Sequence, residues 1–132
     1  MDLIKITPDN ERARSILKMI SLLEERIRIQ NRTKMTALII SDYYEVIKEL
    51  ITAVLLTDGY KTLSHKDLID YINLNYKKFN SNEISILDDL RILRNKITYE
   101  GFMTDFSYLK RNEVFFKNII NKLKNILNRK LK

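Results

Sequence analysis

Almost nothing in this chain stops a helix. Two glycines and one proline punctuate 132 residues, and between them apolar side chains recur every three to four positions, the spacing that gathers them on one face of an α-helix. A β-rich chain of this length needs many tight turns, and tight turns draw heavily on glycine and proline. The expectation is an all-α fold, one domain over residues 1–132, near the commonest domain size and long enough to fill a single core.

Five helices can be placed. Thr7-Pro8 reads as a hydroxyl N-cap followed by proline in the first helical position, where its missing N–H costs nothing. Ala13, Ile16, Leu17, Ile20, Leu23 and Ile27 then mark one buried face to about Asn31. Thr33 is the expected cap of a second helix whose apolar positions, from Met35 to Leu55, cover more than one stripe. Such a helix is either central in a bundle or buried a second time at an oligomer interface. Asp58-Gly59 ends it, with Gly59 left-handed. Ser64-His65-Lys66-Asp67 reads as a capping box opening a short third helix with Leu68, Ile69 and Ile72 inward and Tyr76 a further candidate. The polar stretch Lys77–Asn82 is the expected flexible loop. Ser81 or Asn82 starts a fourth helix with Ile84, Leu87, Leu90 and Ile97 inward, Arg91, Arg94 and Thr98 along another face, and Gly101 as its stop. Thr104 or Asp105 opens the last, which buries Leu109, Phe116, Ile119, Ile120, Leu123 and Leu127. The sum is an antiparallel bundle of about five helices with short connections.

Composition removes several function classes. There is no cysteine, hence no disulfide, no thiolate nucleophile and no zinc–thiolate site. No apolar run approaches the roughly 18 residues of a membrane span, and the N-terminus lacks the layout of a signal peptide; a soluble cytoplasmic protein without membrane association is expected. No phosphate loop, dinucleotide fingerprint or nucleophile elbow is present. Metal-binding Glu-x-x-His pairs are also missing, so no metal or cofactor is expected. The net charge of +7 points to an anionic partner. From Phe106 onward eight lysines and arginines face Glu113 alone, so the last helix carries the whole excess. That run is either an RNA footprint or a solvated face favoured by the helix dipole.

The segment Arg94-Asn95-Lys96-Ile97-Thr98-Tyr99-Glu100-Gly101, closing the fourth helix, carries the most specific signal. With Ser41–Leu50 upstream, Asp58-Gly59-Tyr60-Lys61 and Ser64-His65, it resembles the HEPN superfamily of small α-helical domains, over roughly Met35 to Gly101. The resemblance implies a HEPN-like bundle of the kind that serves as a nucleotidyltransferase substrate-binding subunit, paired as a homodimer. Many HEPN members are metal-independent ribonucleases, often toxins of toxin–antitoxin pairs, in which an arginine, a following polar residue and a histidine meet their copies across the dimer. Arg94 and Asn95 match that pattern, and Gly101 stands where some toxin members carry a modifiable tyrosine. Tyr99 occupies the histidine's place.

That replacement has a physical consequence. Cleaving RNA without a metal requires a base for the 2′-hydroxyl, and histidine titrates near neutrality. Tyrosine, with an ordinary pKa of about 10, is a poor base. Arg94 still offers a bidentate fork for phosphate. The favoured expectation is therefore binding of RNA, a nucleotide or a partner protein by Arg91, Arg94 and Asn95, with little catalysis. The alternative is an endoribonuclease using Arg94 and Tyr99 as catalytic residues. A further alternative is an interaction subunit of a nucleotidyltransferase or an antitoxin pair.

Each residue also has a plainer role. Arg94 can be an ordinary ion-paired helix residue, Asn95 a backbone cap and Tyr99 a core or interface aromatic. Asp42, Glu45 and Lys48, with Glu49, form a polar side of the second helix that either supports Arg91 and Arg94 or makes surface pairs. His65, the only histidine, reads first as part of a helix start; it replaces the missing base only if the fold brings it beside Arg94.

Overall fold

In the computed structural model, which describes residues 1–132, the chain forms β1 (Ile4–Lys5), α1 (Asn10–Ile29), α2 (Thr36–Asp58), β2 (Tyr60–Lys61), α3 (His65–Asn75), α4 (Ser81–Glu100) and α5 (Phe106–Lys130). The all-α bundle of five helices is therefore the fold. What periodicity did not signal is the two-residue antiparallel ladder, Ile4 opposite Lys61 and Lys5 opposite Tyr60. No helix is long and apolar enough to cross a membrane.

The broad apolar cover of α2 is explained by its central position. Packed against α1, α3, α4 and α5, it buries side chains from Thr36 to Leu56 around its circumference. Cross-links fix the directions of its neighbours. Arg26 meets Asp42 near one end of the α1–α2 pair, while the Asp9 N–H donates to the Leu56 carbonyl at the other. Tyr43 meets Glu113 and Asp58 meets Lys130, so α5 runs the same way as α2. Arg94 faces Glu45 and Glu83 faces Lys122, so α4 opposes both. The four long helices thus alternate, and one contiguous core of 28 buried residues draws on all five helices.

Helix ends follow local chemistry where tertiary contacts permit. Gly59 and Gly101 close α2 and α4 with φ of 88° and 65°, the left-handed geometry a side chain resists. Ser81 starts α4, one of the two expected positions, and Asn80 caps it: its Oδ1 accepts the Glu83 N–H at 2.8 Å, and the Glu83 carboxylate accepts the Asn80 N–H at 3.0 Å. Asp105 caps α5.

Two expected starts and one half of a capping box are corrected. Asp9 caps α1 by accepting the Arg12 N–H at 3.0 Å, because Ile6 and Asp9 are tied to the end of α2 through Gly59 and Leu56, leaving Thr7-Pro8 outside the helix. Thr33 lies in a turn organised by Asn31, whose Oδ1 accepts the Lys34 N–H at 3.0 Å, and α2 begins after Met35 without a side-chain cap. At α3, Ser64 caps as expected, but Asp67 does not reach back. Its carboxylate accepts the N–H of Asp2 instead.

The Lys77–Asn82 stretch is pinned rather than loose. Phe79 is buried, and the Lys122 ammonium donates to the Lys78 carbonyl at 2.9 Å and to both oxygens of Glu83.

Candidate functional site

Arg94 lies on the side of α4 that meets α2. Its guanidinium sits over the Tyr44 ring, 5.5 Å from the centroid, and its nearest carboxylate oxygen, on Glu45, is 4.0 Å away. That is a loose ion pair held by a cation–π contact, with most of the guanidinium's donors unspent. Glu45 is itself engaged by Lys48 at 2.8 Å, and Lys48 lies 3.4 Å from Glu49. Arg91, one turn earlier, donates to Asp88 on its own helix at 3.0 Å.

The expected polar side of α2 divides. Asp42, only 9% exposed, accepts two hydrogen bonds from Arg26, at 3.0 and 2.7 Å, and one from Gln30 at 2.7 Å. It locks α1 onto α2 and does not support Arg94. Glu45 does face Arg94, with Lys48 behind it. These groups border a groove of about 430 Å³ between α1, α2 and α4, whose walls include Leu23, Arg26, Asp42, Glu45, Arg94 and Thr98.

Tyr99 is not in the core. It is 76% exposed, and the reason is helical geometry: five residues separate it from Arg94, which places the two about 140° apart around α4. Within the chain they do not share a face, whereas Thr98 and Arg91 flank Arg94. Asn95 is half-buried and is not what finishes the helix; the N–H of Gly101 does that, on the Lys96 carbonyl.

One residue of this neighbourhood carried no signal of its own, and another was offered only conditionally. Tyr44, almost fully buried on α2, supplies the ring beneath Arg94, and the His65 ring packs on the same tyrosine with centroids 5.9 Å apart. Burial pushes the Tyr44 phenol up to about 12, although Arg94 and Arg91 pull the other way. Burial also lowers His65, reinforced by the positive charges of Lys48 and Arg94 and opposed by Glu45. The imidazole is therefore neutral at neutral pH. Ser64-His65 does open α3, but the histidine additionally faces the Arg94 cluster, because Tyr44 is shared by α3 and α4. No local pattern encodes that meeting.

The basic last helix is partly spent inside the bundle. Lys122, Lys124 and Lys130 pair with Glu83, Glu24 and Asp58. Lys110, Arg111, Lys117, Arg129 and Lys132 form no ion pair. The expected footprint from Lys110 to Lys132 is thus interrupted by structural lysines, and no group of three or more His, Asp or Glu side chains is placed to hold a metal ion.

Compared with family models, curated proteins and solved structures, the chain finds no match.

Proposed function

We propose that this protein is a HEPN-like domain that acts as a homodimer and holds a phosphate of an RNA or nucleotide at Arg94. One observation carries the reading: Arg94 is positioned by the Tyr44 ring yet has no carboxylate closer than 4.0 Å. A guanidinium so placed is oriented without being saturated, which suits bidentate capture of a phosphate. Arg91 and Lys48 add positive charge nearby, His65 adds a hydrogen-bonding imidazole, and Glu45 and Glu49 limit the net attraction. Support for a dimer comes from the apolar surface at the end of α4, where Tyr99 and Met103 are each 76% exposed and Phe102 is 48% exposed.

Titrating a single-stranded RNA of mixed sequence and following its fluorescence anisotropy tests the reading. Arg94→Ala is expected to weaken binding about tenfold or more, the scale of ~1.5–3 kcal/mol for charge-assisted hydrogen bonds. Affinity should also fall as salt rises. Failure of the protein to bind RNA or mononucleotides at all would move the function to recognition of a protein such as a nucleotidyltransferase or an antitoxin.

A second reading is favoured by His65. A neutral imidazole on the same tyrosine as Arg94 is a base in the vicinity of a phosphate site. In a metal-independent cleavage it takes the proton of the 2′-hydroxyl, the 2′-oxygen attacks phosphorus, and the P–O5′ bond breaks to leave a 2′,3′-cyclic phosphate and a 5′-oxygen that takes up the proton released by the imidazolium, directly or through water. Incubation with RNA in EDTA separates the readings. Cleavage lost in both Arg94→Ala and His65→Ala but kept in Tyr99→Phe supports the ribonuclease; binding without cleavage supports holding alone.

A further inference from the structure

A second concentration of charge lies on the other side of the α1–α2 pair, where the end of α1, the start of α2 and the first half of α5 enclose a cleft of about 310 Å³. Its carboxylates are already occupied. Glu113 receives the Arg32 guanidinium on one oxygen and the Tyr43 hydroxyl on the other at 2.6 Å. Those two hydrogen bonds outweigh burial and hold Glu113 below its ordinary range. Glu24 is paired with Lys124 at 2.6 Å. Arg28 and Lys117 also line the cleft, both exposed and neither in an ion pair.

We infer that this cleft is an anion site distinct from Arg94, built to take a small organic phosphate monoester. Arg32 is the fixed donor, since Glu113, itself anchored by the Tyr43 hydroxyl, holds one side of its guanidinium while 44% of the side chain stays exposed. Arg28, in the last turn of α1, and Lys117, one turn after Glu113 on α5, bring two mobile cations that match the double charge of a monoester. Like charges converging on one cleft repel each other, and an anion between them relieves that repulsion.

Size and lining select the rest of the ligand. The volume is at the lower end of the roughly 300–1,000 Å³ of small-molecule sites, which suits one compact body and not an extended strand. The edges of Ile27 and Ile120 give an apolar floor, and Asn121 stands at the wall with an amide that both donates and accepts. A sugar phosphate or mononucleotide meets all three features: dianion, compact body and hydrogen-bonding edge. Tyr43 and Tyr44 are adjacent on α2 and point about 100° apart, so this cleft and the Arg94 cluster are separate, and neither proposal depends on the other.

Amide NMR of isotope-labelled protein during titration with adenosine 5′-monophosphate, ribose 5-phosphate, inorganic phosphate and adenosine tests the site. Saturable shifts are expected for both esters in the segments 27–32 and 113–121, with inorganic phosphate about fivefold weaker or worse and adenosine inert. The double variant Arg28→Ala, Lys117→Ala should weaken the ester-induced shifts in those segments about tenfold while leaving the thermal midpoint within a degree or two of the parent. Absence of saturable shifts in those segments overturns the proposal, as does insensitivity to the double variant or inorganic phosphate binding as tightly as the esters. Competition identifies the source: a 5′-phosphorylated oligoribonucleotide that displaces adenosine 5′-monophosphate better than its 5′-hydroxyl counterpart assigns the cleft to RNA ends, and equal, weak displacement by both assigns it to free small esters.

Discussion

Gly59 and Gly101 end their helices with the same left-handed backbone, but their surroundings differ. A Cβ on Gly59 would lie 3.1 Å from the Ile6 carbonyl oxygen, whereas nothing stands within 4 Å of one on Gly101. Gly101→Ala should therefore cost only the conformational term, about 1 kcal/mol, and Gly59→Ala about 2 kcal/mol or more because the β1 approach must also give way. Urea denaturation measures both, and equal losses would refute the crowding argument. The left-handed stops were legible from the sequence because glycine after a periodic run is a local signal. The tightness at Gly59 was not, since it is set by a segment more than fifty residues earlier in the chain. Tyr99 makes the same point in reverse: its motif position suggested a partner for Arg94, while the 3.6-residue helical repeat turns it away.

At the scale of elements, the helix starts show which capping signals act. Asn80→Ala removes a complete reciprocal cap and should destabilise the fold by about 1 kcal/mol. Thr33→Ala, at the position the sequence alone offers as the cap of α2, should change stability by less than about 0.5 kcal/mol, because the hydroxyl makes only a 3.2 Å contact to Asn31 within an exposed turn. Thermal or chemical melts of the two variants give the comparison, and a larger loss at Thr33 would show that the turn does contribute to the start of α2. Five helices, their approximate spans and their apolar faces were readable because periodicity and capping act within a few residues. The short strand pair was not, since two residues on each side carry no periodicity.

The whole molecule is tied at one end by Asp58. Its Oδ2 accepts the Tyr71 and Tyr76 hydroxyls at 2.7 and 2.6 Å, and Lys130 engages the other oxygen, so α2, α3 and α5 meet at a single carboxylate. Burial would raise its pKa, but the hydrogen bonds from Lys130, Tyr71 and Tyr76 prevail and hold it below the ordinary 3.8. Glu113 is likewise held below 4.5. For such groups the unfolded chain binds protons first, so their stabilisation is complete above the ordinary values and lost as the pH falls through the depressed ones. The thermal midpoint should drop steeply in that acid range, and Asp58→Asn should flatten the drop. His65, lowered from 6.5, has the same sign and should add a smaller decline below about pH 6.5 that His65→Ala removes. In the core, Phe116→Ala, at a fully buried position packed on Tyr43, should cost about 3–5 kcal/mol by equilibrium denaturation.

The sequence by itself determined the helical class, the broad apolar cover of α2 and the two glycine stops, because each rests on propensity or spacing within one or two helical turns. It also singled out Arg94. Only the tertiary structure decided which charges meet. Asp42 belongs to Arg26 and Gln30, three lysines of α5 are held by carboxylates on α1, α2 and α4, and Tyr44 serves as a shared floor for Arg94 and His65. Lys124 and Glu24 lie 100 residues apart in the chain. No periodicity reaches that far, because the partner of a charged side chain is fixed by how apolar faces pack, and the charges then pair with whatever the packing has brought within reach.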